Sequence, residues 1–108
     1  MDGSDRLERL RALLKEEPRD VFLHYAIALE LRSRHDLPAA MMQFYELLDI
    51  DPGHIPGHYQ MALVYDELGR CTDAIQTARK GLALAADQRD LKAMSELRDL
   101  IQRLEELA

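Results

Sequence analysis

The sequence predicts an all-α protein whose helices, about six of them, form antiparallel pairs that stack on one another. Three observations carry that expectation. The stretch His24-Tyr25-x-x-Ala28-Leu29 returns as His58-Tyr59-x-x-Ala62-Leu63, and 58 minus 24 is 34. Ala40 with Ala74, and Leu48 with Leu82, fall on the same offset. Between these anchors apolar residues recur at the three- and four-residue steps of a helix, and prolines and glycines interrupt the pattern at intervals. A fixed period in this range marks stacked repeats, each needing a neighbour to bury its face.

Taken in order, residues 1–4 are polar and expected to fray. Ser4 suits the N-cap of a first helix running to about Glu17, with Leu7, Leu10, Leu13 and Leu14 on one face. Pro18 precedes Pro52 by the same interval as the other pairs. By register this helix is therefore the second member of a pair whose first member is missing, and it is read as a cap. The next helix spans about Asp20–Arg34. His35-Asp36-Leu37-Pro38 makes the turn, with Asp36 as N-cap and Pro38 in the first turn, where a missing N–H costs little. The helix that follows continues to about Ile50 and is stopped by Asp51-Pro52-Gly53. Pro56 opens the fourth helix, which ends at Leu68-Gly69, a glycine suited to a left-handed residue just past the helix end. The fifth runs from about Thr72 to Ala85, and Asp87 is expected to cap a last helix through Leu107.

That last helix falls in register with the second and fourth, Leu97 matching Leu29 and Leu63. Ser95 and Glu96 stand where the earlier ones have Ile27-Ala28 and Met61-Ala62, so one face has become polar, as a terminal cap requires. At 100° per residue its apolar arc, from Leu107 through Leu100, Leu104, Leu97 and Ile101 to Met94, spans roughly 140°, against the ~100° stripe of a one-sided helix. The surplus is read either as groove lining or dimer contact, or as wider packing on the preceding helix.

The spacing within the unit resembles the tetratricopeptide repeat family, whose repeat is a pair of antiparallel helices, A and B. Small residues stand at positions 8 and 20, where the helices cross, and a proline at position 32 ends helix B. Counted from Val21, this chain has Ala28 at 8, Ala40 at 20, Phe44 at 24, Leu47 at 27 and Pro52 at 32. Counted from Ile55, it has Ala62 at 8, Tyr65 at 11, Gly69 at 15, Ala74 at 20 and Leu82 at 28. The physical need is direct, because two helix axes cannot approach closely across a large side chain. His35 departs from the usual glycine at 15, Ala78 and Gly81 from larger residues at 24 and 27, and Ala86 from the proline. The resemblance implies a right-handed α-α superhelix in a single domain, 1–108. Its parts are a half-repeat helix at 5–17, repeats at 21–54 and 55–88, and a capping helix at 89–107.

Bulk composition narrows the role. A chain of 108 residues with 47% hydrophobic and 31% charged residues is one ordinary globular domain. Its net charge of −6 argues against general nucleic-acid binding, which rests on clustered Lys and Arg. Cys71, the one cysteine, excludes an intrachain disulfide and fits a reducing compartment. No apolar run approaches a membrane span, and the N-terminus is charged where a signal peptide is apolar. A cytoplasmic protein is expected.

The resemblance also implies where a ligand would sit. Helix A positions 2, 5, 6, 9, 12 and 13 line the concave face in this family. Here they are Phe22, Tyr25, Ala26, Leu29, Arg32 and Ser33, then Pro56, Tyr59, Gln60, Leu63, Asp66 and Glu67, with Asp90, Ala93, Met94 and Leu97 from the capping helix. That is an apolar, tyrosine-containing strip with an acidic end. It suits a partner protein or peptide with apolar side chains and some positive charge. The alternative is that Tyr25 and Tyr59 only fill space between adjacent A helices. The Lys/Asn/Lys/Arg clamp with which some relatives hold a carboxylate terminus would fall on Tyr25, Leu29, Gln60, Asp90 and Met94, none of them basic, so that role is rejected.

Other chemistry is sparse. His54 and His58 are four apart, a spacing that can hold a metal on a helix, but Pro56 lies between them and His54 falls in the turn, so no metal or cofactor is expected. Asp49 and Asp51 lack calcium-loop spacing. There is no phosphate loop or nucleophile elbow, and no enzymatic activity is expected. The reading is a protein-interaction module that takes a peptide or helix on its concave face. The alternative is a homodimer joined through Leu100, Leu104 and Leu107.

Overall fold

A computed structural model describes residues 4–108, with side chains from Arg6 onward. Six α-helices and no strand are found among the described residues: α1 (Ser4–Glu16), α2 (Val21–Ser33), α3 (Leu37–Ile50), α4 (Ile55–Glu67), α5 (Cys71–Asp87) and α6 (Leu91–Leu107). Of the fraying expected for residues 1–4 and the cap expected from Ser4, only the helical backbone of Ser4 falls within what is described. The chain divides into two compact units, one ending at Pro52 and one running Gly53–Ala108.

In the first unit α2 packs on both α1 and α3. Ala28 and Ala40, the small residues at the predicted crossing, are fully buried. Leu7 of α1 joins Ile27, Leu31 and Ala40 in a core cluster, flanked by Leu10, Leu14 and Ala39. Phe44 and Leu47 fill the α3 side completely, and the Tyr25 ring meets Phe44 edge-on at 6.5 Å. His24, 5% exposed, ties the hairpin together. Its Nε2–H donates to the Pro18 carbonyl at 2.8 Å, and its Nδ1 accepts from Gln43 Nε2 at 2.6 Å. Both ring nitrogens are thus satisfied, as a buried imidazole requires.

The second unit repeats the crossing with Ala62 and Ala74, again fully buried, and adds α6 against α5. Along α5 the buried residues are Ala74, Thr77, Ala78, Gly81 and Ala85, all small. A Cβ on Gly81 would stand 3.1 Å from His58 Cβ and 3.2 Å from a Leu97 methyl, so α4 and α6 both press on this backbone. The missing bulk of α5 is supplied from α6: Leu97, Leu100 and Leu104 are 0%, 2% and 2% exposed. The centre of the wide apolar arc of α6 is therefore spent inside its own unit, while Met94 and Ile101 are half-buried and Leu107 is exposed. This corrects the assignment of Leu97 to a groove and of Leu100 and Leu104 to a dimer contact. Ser95 and Glu96 are exposed, as a polar cap face requires.

The helix ends follow one device three times. After α2, α4 and α5 the residue past the C-cap is left-handed: His35 at φ 60, Gly69 at φ 78 and Arg89 at φ 57. At each, two amides close back on the helix: His35 on Arg32 and Asp36 on Leu31, Gly69 on Asp66 and Arg70 on Tyr65, Arg89 on Ala86 and Asp90 on Ala85. This moves one predicted boundary. Asp87 lies inside α5, and Asp90 caps α6 by accepting from Ala93 N at 3.0 Å. Asp20 and Asp36 cap α2 and α3 in the same way, through Leu23 N and Ala39 N.

Candidate protein-binding surface

On α2, helical spacing puts Phe22, Ala26 and Leu29 along one side, with Tyr25 between them. Phe22 is 71% exposed, although a ring of that size is ordinarily covered. Tyr25 and Leu29 are half-buried. Together with Ala26 and Glu30, and with Arg6 of α1, these residues line a shallow depression of about 250 Å³. Its walls are aromatic and aliphatic. Its rim carries an ion pair between Arg6 Nε and Glu30 Oε1 at 3.1 Å, and Glu30 is held from its own helix by Arg34 at 2.9 Å. Arg32, the remaining predicted residue of α2, is half-buried outside this lining.

Tyr25 has two roles. One edge packs on Phe44 in the core, and the ring also faces the depression. The space-filling alternative is thus partly met for Tyr25, whereas the Phe22 ring stands mostly in the open.

In the second unit the register-equivalent residues Tyr59, Gln60 and Leu63 of α4 are half-buried and Asp66 and Glu67 are exposed. On α6, Met94 is half-buried, Asp90 is exposed with its side chain on the helix cap, and Leu97 is interior. Leu107 is 76% exposed at the helix end.

The histidines that suggested a metal are engaged with backbone. His54 caps α4, its Nδ1 accepting from Gly57 N at 2.9 Å, and His58 Nδ1–H donates to the His54 carbonyl at 3.0 Å. Among the described residues no three His, Cys, Asp or Glu side chains converge as a metal site would need. The Cys71 thiol points to the Leu104 carbonyl at 3.6 Å. Among the described residues no helix is long and apolar enough to cross a membrane.

Arg6 and Glu30 do not stand out in the sequence as site residues. The available signal is Arg6 itself, a long charged residue at the register position where Ala40 and Ala74 stand.

No protein-family profile matches the chain, and no curated protein matches it significantly. Solved structures do. The solution structure of a tetratricopeptide repeat domain protein from Salinibacter ruber is 33% identical, with a TM-score of 0.80, over 84% of this chain and 92% of that one. The TPR2B domain of yeast Sti1, solved in complex with pHsp70, is 15% identical with a TM-score of 0.90 over 99% of this chain and 86% of its own. PcrH, solved with the chaperone binding region of PopD, is 15% identical with a TM-score of 0.88 over 96% and 79%. The latter two share the fold. The first shares a third of its residues over nearly its whole length, and with the buried alanines in register, this chain belongs to the tetratricopeptide repeat family.

Proposed function

We propose that the protein is a non-enzymatic interaction module that holds a peptide or helix of a partner protein on its A helices, without cofactor or metal. The observation that carries this is Phe22, a phenyl ring 71% exposed at the edge of a depression whose other apolar walls are Tyr25 and Leu29. An aromatic anchor beside an apolar hollow is where binding energy concentrates in protein interfaces. Arg32 on α2, and Tyr59, Gln60, Leu63 and Asp66 at the equivalent register of α4, extend the surface within each unit. Met94 lends further apolar area on α6. Two proteins of the same fold were solved with bound protein segments, which supports the class of role. Exposed Asp66 and Glu67 favour a partner with positive charge opposite α4, acting on association rate more than on affinity. A homodimer through α6 loses its footing, since Leu107 alone of its three leucines is exposed, far short of the area a stable interface buries.

The test is a random-peptide phage display selection on the full chain, with Phe22→Ala as counter-target. Selected peptides should be rich in apolar residues and bind the variant at least ten-fold more weakly while its melting curve is unchanged. Selected peptides that bind both equally, or a selection that enriches nothing, would refute the assignment.

A further inference from the structure

Every exposed residue of α3 lies on one side of that helix. Pro38, Met42, Tyr45, Glu46 and Asp49 fall within an arc of about 100°. The opposite flank holds Ala40, Phe44 and Leu47, all buried, with Phe44 against Tyr25 of α2. The stripe is therefore separate from the depression around Phe22. At its centre Met42 is 61% and Tyr45 44% exposed, one helical turn apart. A single exposed apolar residue is ordinary, but two large ones side by side make contiguous apolar surface.

The repeat register puts a counterpart of this stripe on α5. The same five positions, 34 residues on, hold Thr72, Gln76, Arg79, Lys80 and Ala83, all exposed. The fold thus accepts small, polar and basic side chains there, and α5 shows no packing need for methionine or tyrosine. Both are residue types that concentrate where proteins bind one another. The charge is inverted as well. Glu46 and Asp49 stand in place of Lys80 and Ala83, and α3 carries no Lys or Arg. The Glu46 side chain is 60% exposed, with a carboxylate oxygen 3.8 Å from His24 Nδ1, which already accepts from Gln43. Asp49 has no ion pair among the described residues. It stands in the last turn, with Asp51 at the C-cap, where the helix dipole is itself negative.

Such a field repels phosphate groups, so nucleic acid and anionic lipid do not suit the stripe. A second copy suits it poorly. The chain carries a net charge of −6, and its α5 stripe offers no large apolar residue to Met42 and Tyr45. Arg79 of that stripe is, moreover, engaged by Glu105. A cationic helix of another protein fits, because it presents apolar and basic residues at the same three- and four-residue steps.

We propose that the outer stripe of α3 is a second docking surface, for a basic amphipathic helix of a partner protein. Its apolar side chains lie on Met42 and Tyr45, and its Lys or Arg side chains on Glu46 and Asp49. This surface does not depend on the one around Phe22.

The probe is a labelled synthetic amphipathic helix of leucine and lysine, titrated against the full chain by fluorescence anisotropy. A leucine–glutamate helix of the same pattern is the control. The lysine helix should bind and the glutamate helix should not. Giving α3 the residues of α5, by Met42→Gln, Tyr45→Arg, Glu46→Lys and Asp49→Ala together, should weaken binding roughly ten-fold or more. Phe22→Ala should leave it unchanged. If the four-residue graft melts early, Glu46→Gln with Asp49→Asn keeps the shape and removes only charge, and it should weaken binding in the same direction. No binding of the lysine helix, equal binding of the glutamate helix, or unchanged binding by the folded variant would each overturn the proposal. Binding lost with Phe22→Ala would also overturn it, assigning the helix to the depression and leaving the module reading intact. Self-association of the chain that the graft abolishes would make a second copy the occupant and overturn it too.

Discussion

The α2–α3 and α4–α5 hairpins trace one backbone plan with different side chains. In the first, α3 brings its own bulk: Phe44 and Leu47 are fully buried and Tyr25 rests on the Phe44 ring. In the second, the same two positions are Ala78 and Gly81, and the volume comes from Leu97, Leu100 and Leu104 of α6. The helix starts differ as well. Asp36 caps α3 with its own carboxylate, whereas Arg70 makes no side-chain cap on α5. Arg70 instead lies over the Tyr65 ring at 5.1 Å and pairs with Asp73, whose charge sits in the first turn where the helix dipole favours it. A repeat thus conserves where volume and charge are needed, not which residue supplies them. The first hairpin is self-sufficient at these positions and the second is not.

The largest consequence concerns α6. Removal of residues 91–108 should abolish the cooperative melt of the second unit. Three buried leucines contribute about 1.5–3 kcal/mol each, a sum comparable to the whole stability of a small domain. Hydrogen exchange read by mass spectrometry should show α4 and α5 unprotected, while α2 and α3 keep more protection. Retained protection in α5 would show that its small row needs no cover.

Next in size is an exchange of bulk between the hairpins. Phe44→Ala should cost about 3–5 kcal/mol by denaturant titration, the range for an emptied aromatic site. Gly81→Leu, which gives α5 the residue α3 carries, should also destabilise, by about 1–3 kcal/mol, through overpacking onto His58 and Leu97. Stabilisation by Gly81→Leu would mean that the second unit holds unfilled space rather than a substituted filling.

These pairs explain what the sequence could disclose. Ala28, Ala40, Ala62 and Ala74 announced the crossings because one residue at one spacing suffices to permit close approach, and all four are buried. The width of the α6 arc and the smallness of Ala78 and Gly81 each looked like a departure when read alone. They are two halves of one fit, visible only when α6 is laid on α5. Register likewise carried Leu97 onto the positions of half-buried Leu29 and Leu63, but the room left by α5 draws it inward. Phe22, Tyr25 and Leu29 were picked out through the resemblance, since they hold helix A positions 2, 5 and 9 of the first repeat. Arg6 was not, since its partner Glu30 lies on another helix at a separation the repeat does not share. Arg89 ends α5 without a glycine or proline to signal it.

The smallest effects lie at those turns, where the hairpins differ by sign. Gly69 occupies its left-handed seat without a Cβ, whereas His35, its equivalent one repeat earlier, holds φ 60 with one. A Cβ in that region crowds the backbone at a cost of roughly 1–2 kcal/mol, and glycine offsets part of that gain by its freedom in the unfolded chain. The His35 side chain is exposed and makes no described hydrogen bond or ion pair, so its removal sacrifices little. His35→Gly should therefore stabilise by about 0.5–1 kcal/mol, and Gly69→Ala should destabilise by a similar amount although nothing lies within 4 Å of its new methyl. Differential scanning calorimetry of both variants separates the causes. Opposite shifts in melting temperature place the effect in the left-handed backbone. A downward shift in both would assign it instead to the unfolded chain at position 35, and the two turns would then be equivalent in geometry but not in energetics.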